Sequence, residues 1–136
     1  MRPVLFDTNA YAAFKRGDVS IKAIVQHVEV IGISPIVLGE LISGFDAGTR
    51  AKQNREELKI FLQSSRVHIY PITSDTAQFY SQVYLSLKAK GSPIPTNDMW
   101  IAAQALEQGC LVCTYDKHFA AIEGVLTVSS LAELML

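Results

Sequence analysis

Four acidic residues, Asp7, Glu40, Asp98 and Asp116, each stand where an apolar segment gives way to a turn or a helix. Their surroundings read VLFDTN, PIVLGELISG, PTNDMWIAAQAL and CLVCTYDKHF, so each carboxylate is set in the pattern of a buried strand or an amphipathic helix. Unpaired charge beside a core is costly, and four such acids predict convergence on cations. Oxygen-only ligation suits Mg²⁺ or Mn²⁺ better than zinc. Taken singly, Asp7 could form a turn or cap a helix, and Asp98 and Asp116 could be first-turn acids favoured by a helix dipole. Glu40 has no such use: it lies mid-helix between Leu38 and Leu41 and caps nothing.

The elements that must position these acids follow from hydrophobic period and cap chemistry. Val4 to Phe6, Val30 to Ile33, Val67 to Ile72, Leu111 to Thr114 and Val125 to Val128 read as short strands. Ala10 to Lys15 and Ser20 to Val28 read as helices, and Ser34-Pro35 starts a third over Ile36 to Phe45, with Ser as N-cap and Pro at the first helical position. Arg50 to Gln63 is a charged helix with Leu58, Phe61 and Leu62 on its apolar stripe. Thr73-Ser74-Asp75 caps a helix over Thr76 to Lys90, which Gly91 ends. After the loop Gly91 to Pro95, Thr96 or Asn97 caps a helix from Asp98 to Gln108, closed by Gly109. A short helical turn begins at Asp116, and a helix follows the last strand.

Strands alternate with helices almost throughout, which predicts an α/β fold: a central parallel sheet of about five strands covered on both faces. In such a sheet ligands bind beyond the carboxyl ends of the strands. Asp7 closes the first strand and Asp116 lies just past the fourth, so an acidic cluster at one end of the sheet follows if those two strands are neighbours.

With 136 residues, 49% of them hydrophobic, the chain is read as one domain over residues 1–136 with a core of ordinary size. A formal net charge of −1 excludes a globally basic nucleic-acid binder but leaves room for a local basic strip. Asp7 interrupts the first apolar run, and Glu29, Pro35 and Glu40 interrupt the longest one, so neither a signal peptide nor a bilayer span is expected and the protein is read as soluble.

Asp7-Thr8-Asn9, Glu40-Leu41 with Gly44 four positions after Glu40, Asn97-Asp98 followed by Ile101-Ala102-Ala103-x-Ala105-Leu106, and Thr114-x-Asp116-x-x-Phe119 occur in that order. Together they resemble the PIN-domain family, and specifically its VapC-type toxin ribonucleases, across essentially the whole chain. The resemblance implies a single PIN domain and a cytoplasmic endoribonuclease, the toxin half of a toxin–antitoxin pair. It also implies that Asp7, Glu40, Asp98 and Asp116 hold Mg²⁺ or Mn²⁺, with Asp7 and Asp98 as direct ligands. Thr8, Asn9 and Thr114 would orient those acids. The implied partners are an RNA substrate, a cognate antitoxin whose tail obstructs the site, and a second copy in a homodimer.

Phosphodiester hydrolysis independently fits these residue types, because carboxylate-held divalent ions can activate water and neutralise charge on the phosphoryl oxygens. A phosphatase using Asp7 as nucleophile fits less well, since that chemistry wants a second Asp where Asn9 stands. A non-catalytic RNA-binding or assembly module on the same fold is the other alternative. Gly39 and Gly44 have P-loop spacing, but Phe45-Asp46 follows where Lys and a hydroxyl residue are required. Cys110 and Cys113 read as buried free thiols, with no second ligand pair to complete a zinc site. Arg50, Lys52, Arg55, Lys59 and Arg66 form the main basic concentration, with Lys15 and Arg16 nearer the first acidic motif and better placed for phosphates. His27, His68 and His118 have no partner spacing and are read as structural or surface residues.

Overall fold

The computed structural model describes residues 2–136. In chain order the elements are β1 (Val4–Phe6), α1 (Thr8–Lys15), α2 (Val19–His27), β2 (Ile31–Ile33), α3 (Pro35–Ala47), α4 (Ala51–Leu62) and β3 (Val67–Ile69). They continue with α5 (Ser74–Lys90), α6 (Thr96–Gln108), β4 (Leu111–Cys113), a 3-10 turn (Lys117–Ala121), β5 (Thr127–Val128) and α7 (Leu131–Leu134). The sheet has strand order β3-β2-β1-β4-β5 and is parallel throughout. β1 pairs with both β2 and β4, with Phe6 opposite Ile33 on one side and Cys113 on the other. All three residues of β1 and of β2 are buried. Because successive side chains point to opposite faces, helices must cover both sides of these strands.

Local chemistry sets most boundaries. Ser34 caps α3 by accepting the Ile36 N–H at 3.0 Å, with Pro35 at the start of the helix. Thr73 caps α5 in a reciprocal arrangement with Thr76, whose hydroxyl also donates to Glu107 on α6 at 2.8 Å. Most boundaries shift by one or two residues from the sequence reading, and two of the differences have a clear local cause. β3 stops at Ile69 rather than Ile72: the Tyr70 N–H still reaches the Ile33 carbonyl at 3.0 Å, but Pro71 has no N–H to extend the ladder. α6 begins at Thr96 after Pro95, with no side-chain cap, so Asp98 lies inside its first turn instead of opening it.

Aromatic packing fixes α1 and α4 on the sheet. Phe6 of β1 meets Phe14 at 6.3 Å and Phe61 at 6.0 Å between ring centroids, and Tyr11 meets Phe61 edge-on at 5.2 Å. The chain visits β1, β2 and β3 on one side, then β4 and β5 on the other. The strand order therefore reverses between β1 and β4, the position at which an open parallel sheet leaves a crevice at its carboxyl ends.

Candidate metal centre

Asp7 leaves β1 into that crevice and is only 4% exposed. It caps α1, one oxygen accepting the Ala10 N–H at 2.7 Å, while the other accepts the Thr114 hydroxyl from the end of β4. Thr114 Oγ1 in turn accepts the Asp116 N–H at 2.8 Å, so one buried threonine spans the seam between β1 and the Asp116 turn. Burial pushes the Asp7 carboxyl from its ordinary 3.8 up to about 6; the Thr114 and Ala10 hydrogen bonds oppose this shift, and the charges of Asp98 and Asp116 add to it.

Asp98 projects from the first turn of α6 with its side chain 19% exposed. Its carboxyl is also pushed up, first by burial and then by Asp116 and Glu40, with His118 pulling the other way. Asp116 starts the 3-10 turn, accepting the His118 N–H at 2.9 Å. The His118 ring folds back over both acids: its Nδ1 is 3.1 Å from Asp116 Oδ1 and 3.9 Å from Asp98 Oδ2. By its sequence His118 reads as a structural or surface residue. The available signal was its place two residues after an acid that starts a tight turn, the spacing at which a cap and its donor residue share one side of the turn.

Glu40 differs from expectation. Its apolar neighbours suggested a buried acid, yet it is exposed: Leu41 turns into the core, and the helical twist carries Glu40 round to solvent. It remains within the electrostatic reach of Asp98, and the Thr8 hydroxyl donates to its Oε1 at 2.7 Å. Asn9 is exposed and makes no side-chain hydrogen bond among the described residues. Beside Glu40, a shallow groove runs between α3 and the start of α6, lined by Gly39, Ser43 and Asn97.

Three of the basic candidates, Lys15, Arg55 and Arg66, are engaged away from the acids. Lys15 lies 3.8 Å from Glu57, and Arg55 makes two bonds to Asp46 at 2.8 and 2.7 Å. Arg66 donates to the carbonyls of Val25 and Val28 at 2.7 and 2.6 Å, beside the starts of β2 and β3 and so at the end of the sheet away from the acids. Among the described residues no Lys or Arg comes within 4.0 Å of Asp7, Glu40, Asp98 or Asp116. Asp98 and Asp116 therefore crowd together with one imidazole and no fixed cation, while Asp7 and Glu40 stand outside that group and within electrostatic reach of Asp98. That donor set, carboxylate oxygens with a single nitrogen, fits a hard divalent ion of the Mg²⁺ or Mn²⁺ type.

A parallel α/β sheet with acids gathered at its reversal point accords with one family. The model of the PIN domain matches residues 4–125, and the chain belongs to the PIN domain family. Its relatives there are VapC ribonucleases. Ribonuclease VapC1 of Rickettsia felis is 35% identical over 134 residues, covering 93% of this chain and 97% of its own length. Ribonuclease VapC5 of Mycobacterium tuberculosis is 25% identical over 124 residues, 91% of this chain and 90% of its own. Among solved structures, VapBC2 of Rickettsia felis bound to a promoter DNA fragment superposes with a TM-score of 0.82 at 27% identity, over 93% of this chain and 97% of that one. DNA-bound VapBC of Salmonella typhimurium gives 0.81 at 26% identity, over 94% and 98%.

Proposed function

We propose that this chain is a divalent-metal-dependent endoribonuclease, the toxin of a VapBC-type toxin–antitoxin pair. On this reading it acts in the cytoplasm as a homodimer and is held inactive by a cognate antitoxin. No helix among the described residues is long and apolar enough to cross a membrane. The observation that carries the reading is the gathering of Asp98, Asp116 and His118 donor atoms within 4.8 Å of one another beside the reversal point of the sheet, with Asp7 in electrostatic reach and no Lys or Arg within 4.0 Å.

Asp7, Asp98 and Asp116 would hold the ion, with Glu40 at the rim. When bound, such an ion activates water and offsets charge on the phosphoryl oxygens. The protein's own groups aim the ligands. The Ala10 N–H and the Thr114 hydroxyl fix both oxygens of Asp7, and Thr8 holds Glu40 toward the crevice. Hydrogen bonds to the charged form favour the ionised Asp7 that ligation requires. Cys113, the thiol beside Asp7, supplies no nucleophile: it is buried and pushed up to about 12 by that burial, so it stays protonated. The groove along Gly39, Ser43 and Asn97 has Glu40 in its wall and would be the place for an RNA backbone.

The test is cleavage of RNA by the purified protein in Mg²⁺, in EDTA, and by Asp98→Asn in Mg²⁺. Wild type should cut only with metal, and the variant should lose about two orders of magnitude or more in rate, the scale on which one transition-state charge contact acts. RNA binding without cleavage in any metal would replace the nuclease reading with a binding or assembly role.

A further inference from the structure

We propose that His118 is itself a ligand of the metal centre, so that this chain presents a mixed oxygen and nitrogen set that binds Mn²⁺ in preference to Mg²⁺. The inference rests on the metal-dependent reading above and goes beyond its four acids.

The geometry carries it. One donor atom each from Asp98, Asp116 and His118 lie within 4.8 Å of one another. Two ligands at right angles on an octahedral ion, with bonds of about 2.1 Å, are about 3.0 Å apart, and opposite ligands about 4.2 Å apart. The separations from His118 Nδ1, 3.1 Å to Asp116 Oδ1 and 3.9 Å to Asp98 Oδ2, fall inside that window. Three donors from two segments thus stand within 4.8 Å of one another, with both separations from the ring nitrogen at ligand spacing.

The turn holds the ring there. Asp116 accepts the His118 N–H at 2.9 Å, and the next residue, Phe119, is fully buried, which anchors the turn in the core. The ring itself is 57% exposed, leaving Nε2 free to meet water, the partner a ligating histidine needs on its far nitrogen. Asp116 Oδ1 also receives that backbone N–H, so one carboxylate organises both the main chain and the ring beside it.

The consequence is metal selectivity. Imidazole binds Mn²⁺ better than Mg²⁺, because Mg²⁺ takes oxygen ligands and gives up its water reluctantly, whereas transition ions accept nitrogen. Being neutral when it ligates, His118 adds a donor without adding another negative charge to the crowded acids. The competing use of the same ring, with Nδ1–H donating to Asp116, excludes ligation through that nitrogen, so the two arrangements give opposite results.

The experiment titrates Mn²⁺ and Mg²⁺ into the metal-free full chain, its His118→Gln variant and its Asp98→Asn variant, and records electron spin-echo spectra of the bound Mn²⁺. In wild type we expect modulation from a directly coordinated nitrogen, absent in His118→Gln. That variant should bind Mn²⁺ about tenfold or more weakly while its Mg²⁺ affinity changes far less. Asp98-dependent Mn²⁺ binding with no nitrogen signal, a nitrogen signal that persists in His118→Gln, or equal losses for both ions would overturn the His118 assignment and leave the metal centre standing. If wild type binds neither ion, or Asp98→Asn binds as wild type does, the metal centre itself falls and the ligand assignment with it.

Discussion

Asp7 combines the deepest burial among the four acids with two hydrogen bonds that favour its charged form, and burial wins in the metal-free protein. The sign follows from linkage. A folded-state value near 6 against an ordinary 3.8 means that the folded protein holds this proton more tightly. Stability is therefore highest below pH 4 as far as Asp7 is concerned, and is lost as pH rises through about 6, by about 3 kcal/mol in all. Asp98, also pushed up, acts in the same direction. Thermal melts in EDTA from pH 4 to 7 should show this decline, and Asp7→Asn should flatten it and melt higher than wild type at pH 7 while losing metal-dependent cleavage. Asn preserves the shape and the oxygen that accepts from Ala10. Thr114 makes a separate prediction. Its hydroxyl serves Asp7 as donor and the Asp116 N–H as acceptor, both in buried or half-buried surroundings. Thr114→Val should cost about 1–3 kcal/mol in urea unfolding, the price of leaving buried partners unmade, whereas Thr114→Ser should retain most of the stability.

At the scale of elements, the adjacency of β1 and β4 makes the site, and the packing around those strands maintains it. β2 flanks β1 on the other side, and its middle residue, Gly32, faces the Tyr70 ring so closely that an added Cβ would lie 2.1 Å from a ring carbon. Gly32→Ala must displace that ring and should destabilise the protein by about 1–3 kcal/mol. Combining it with Tyr70→Leu should recover part of the loss, a coupling that a double-mutant cycle by chemical denaturation reads directly. Arg66 shows the same dependence on tertiary context. Its charge placed it among the candidates for phosphate contact, but it closes the end of α2 by bonding two carbonyls there.

For the whole molecule, like charges gathered without a fixed cation would, on the proposed reading, make a bound divalent ion part of the stability balance. A divalent ion that binds only the folded state at about a hundred times its Kd adds about 2.7 kcal/mol. That corresponds to a rise in melting temperature of roughly 10 °C for a chain of this size. Asp98→Asn, carrying one charge fewer, should melt higher than wild type in EDTA yet gain less from Mg²⁺ or Mn²⁺. The toxin reading has its own measurement: expression of the chain alone should slow growth, and co-expression of its antitoxin should restore it. A harmless protein that still cuts RNA in vitro would point to a processing nuclease.

The sequence by itself determined the alternation of strands and helices, the Ser34-Pro35 and Thr73 starts, the stop at Gly109, and the position of Asp7 at the end of an apolar strand. These features are written within three or four residues, in period and cap chemistry. Only the tertiary structure decided that β4 lies beside β1, which brings the Thr114 hydroxyl to Asp7 across 107 positions of sequence. It also decided which side of α3 meets solvent, placing Glu40 outside the core, and it turned His118 from an unassigned histidine into a neighbour of Asp98 and Asp116. Such outcomes depend on strand order and on helix rotation against the sheet. Both are set by the joint burial of segments far apart in the chain, which no local pattern records.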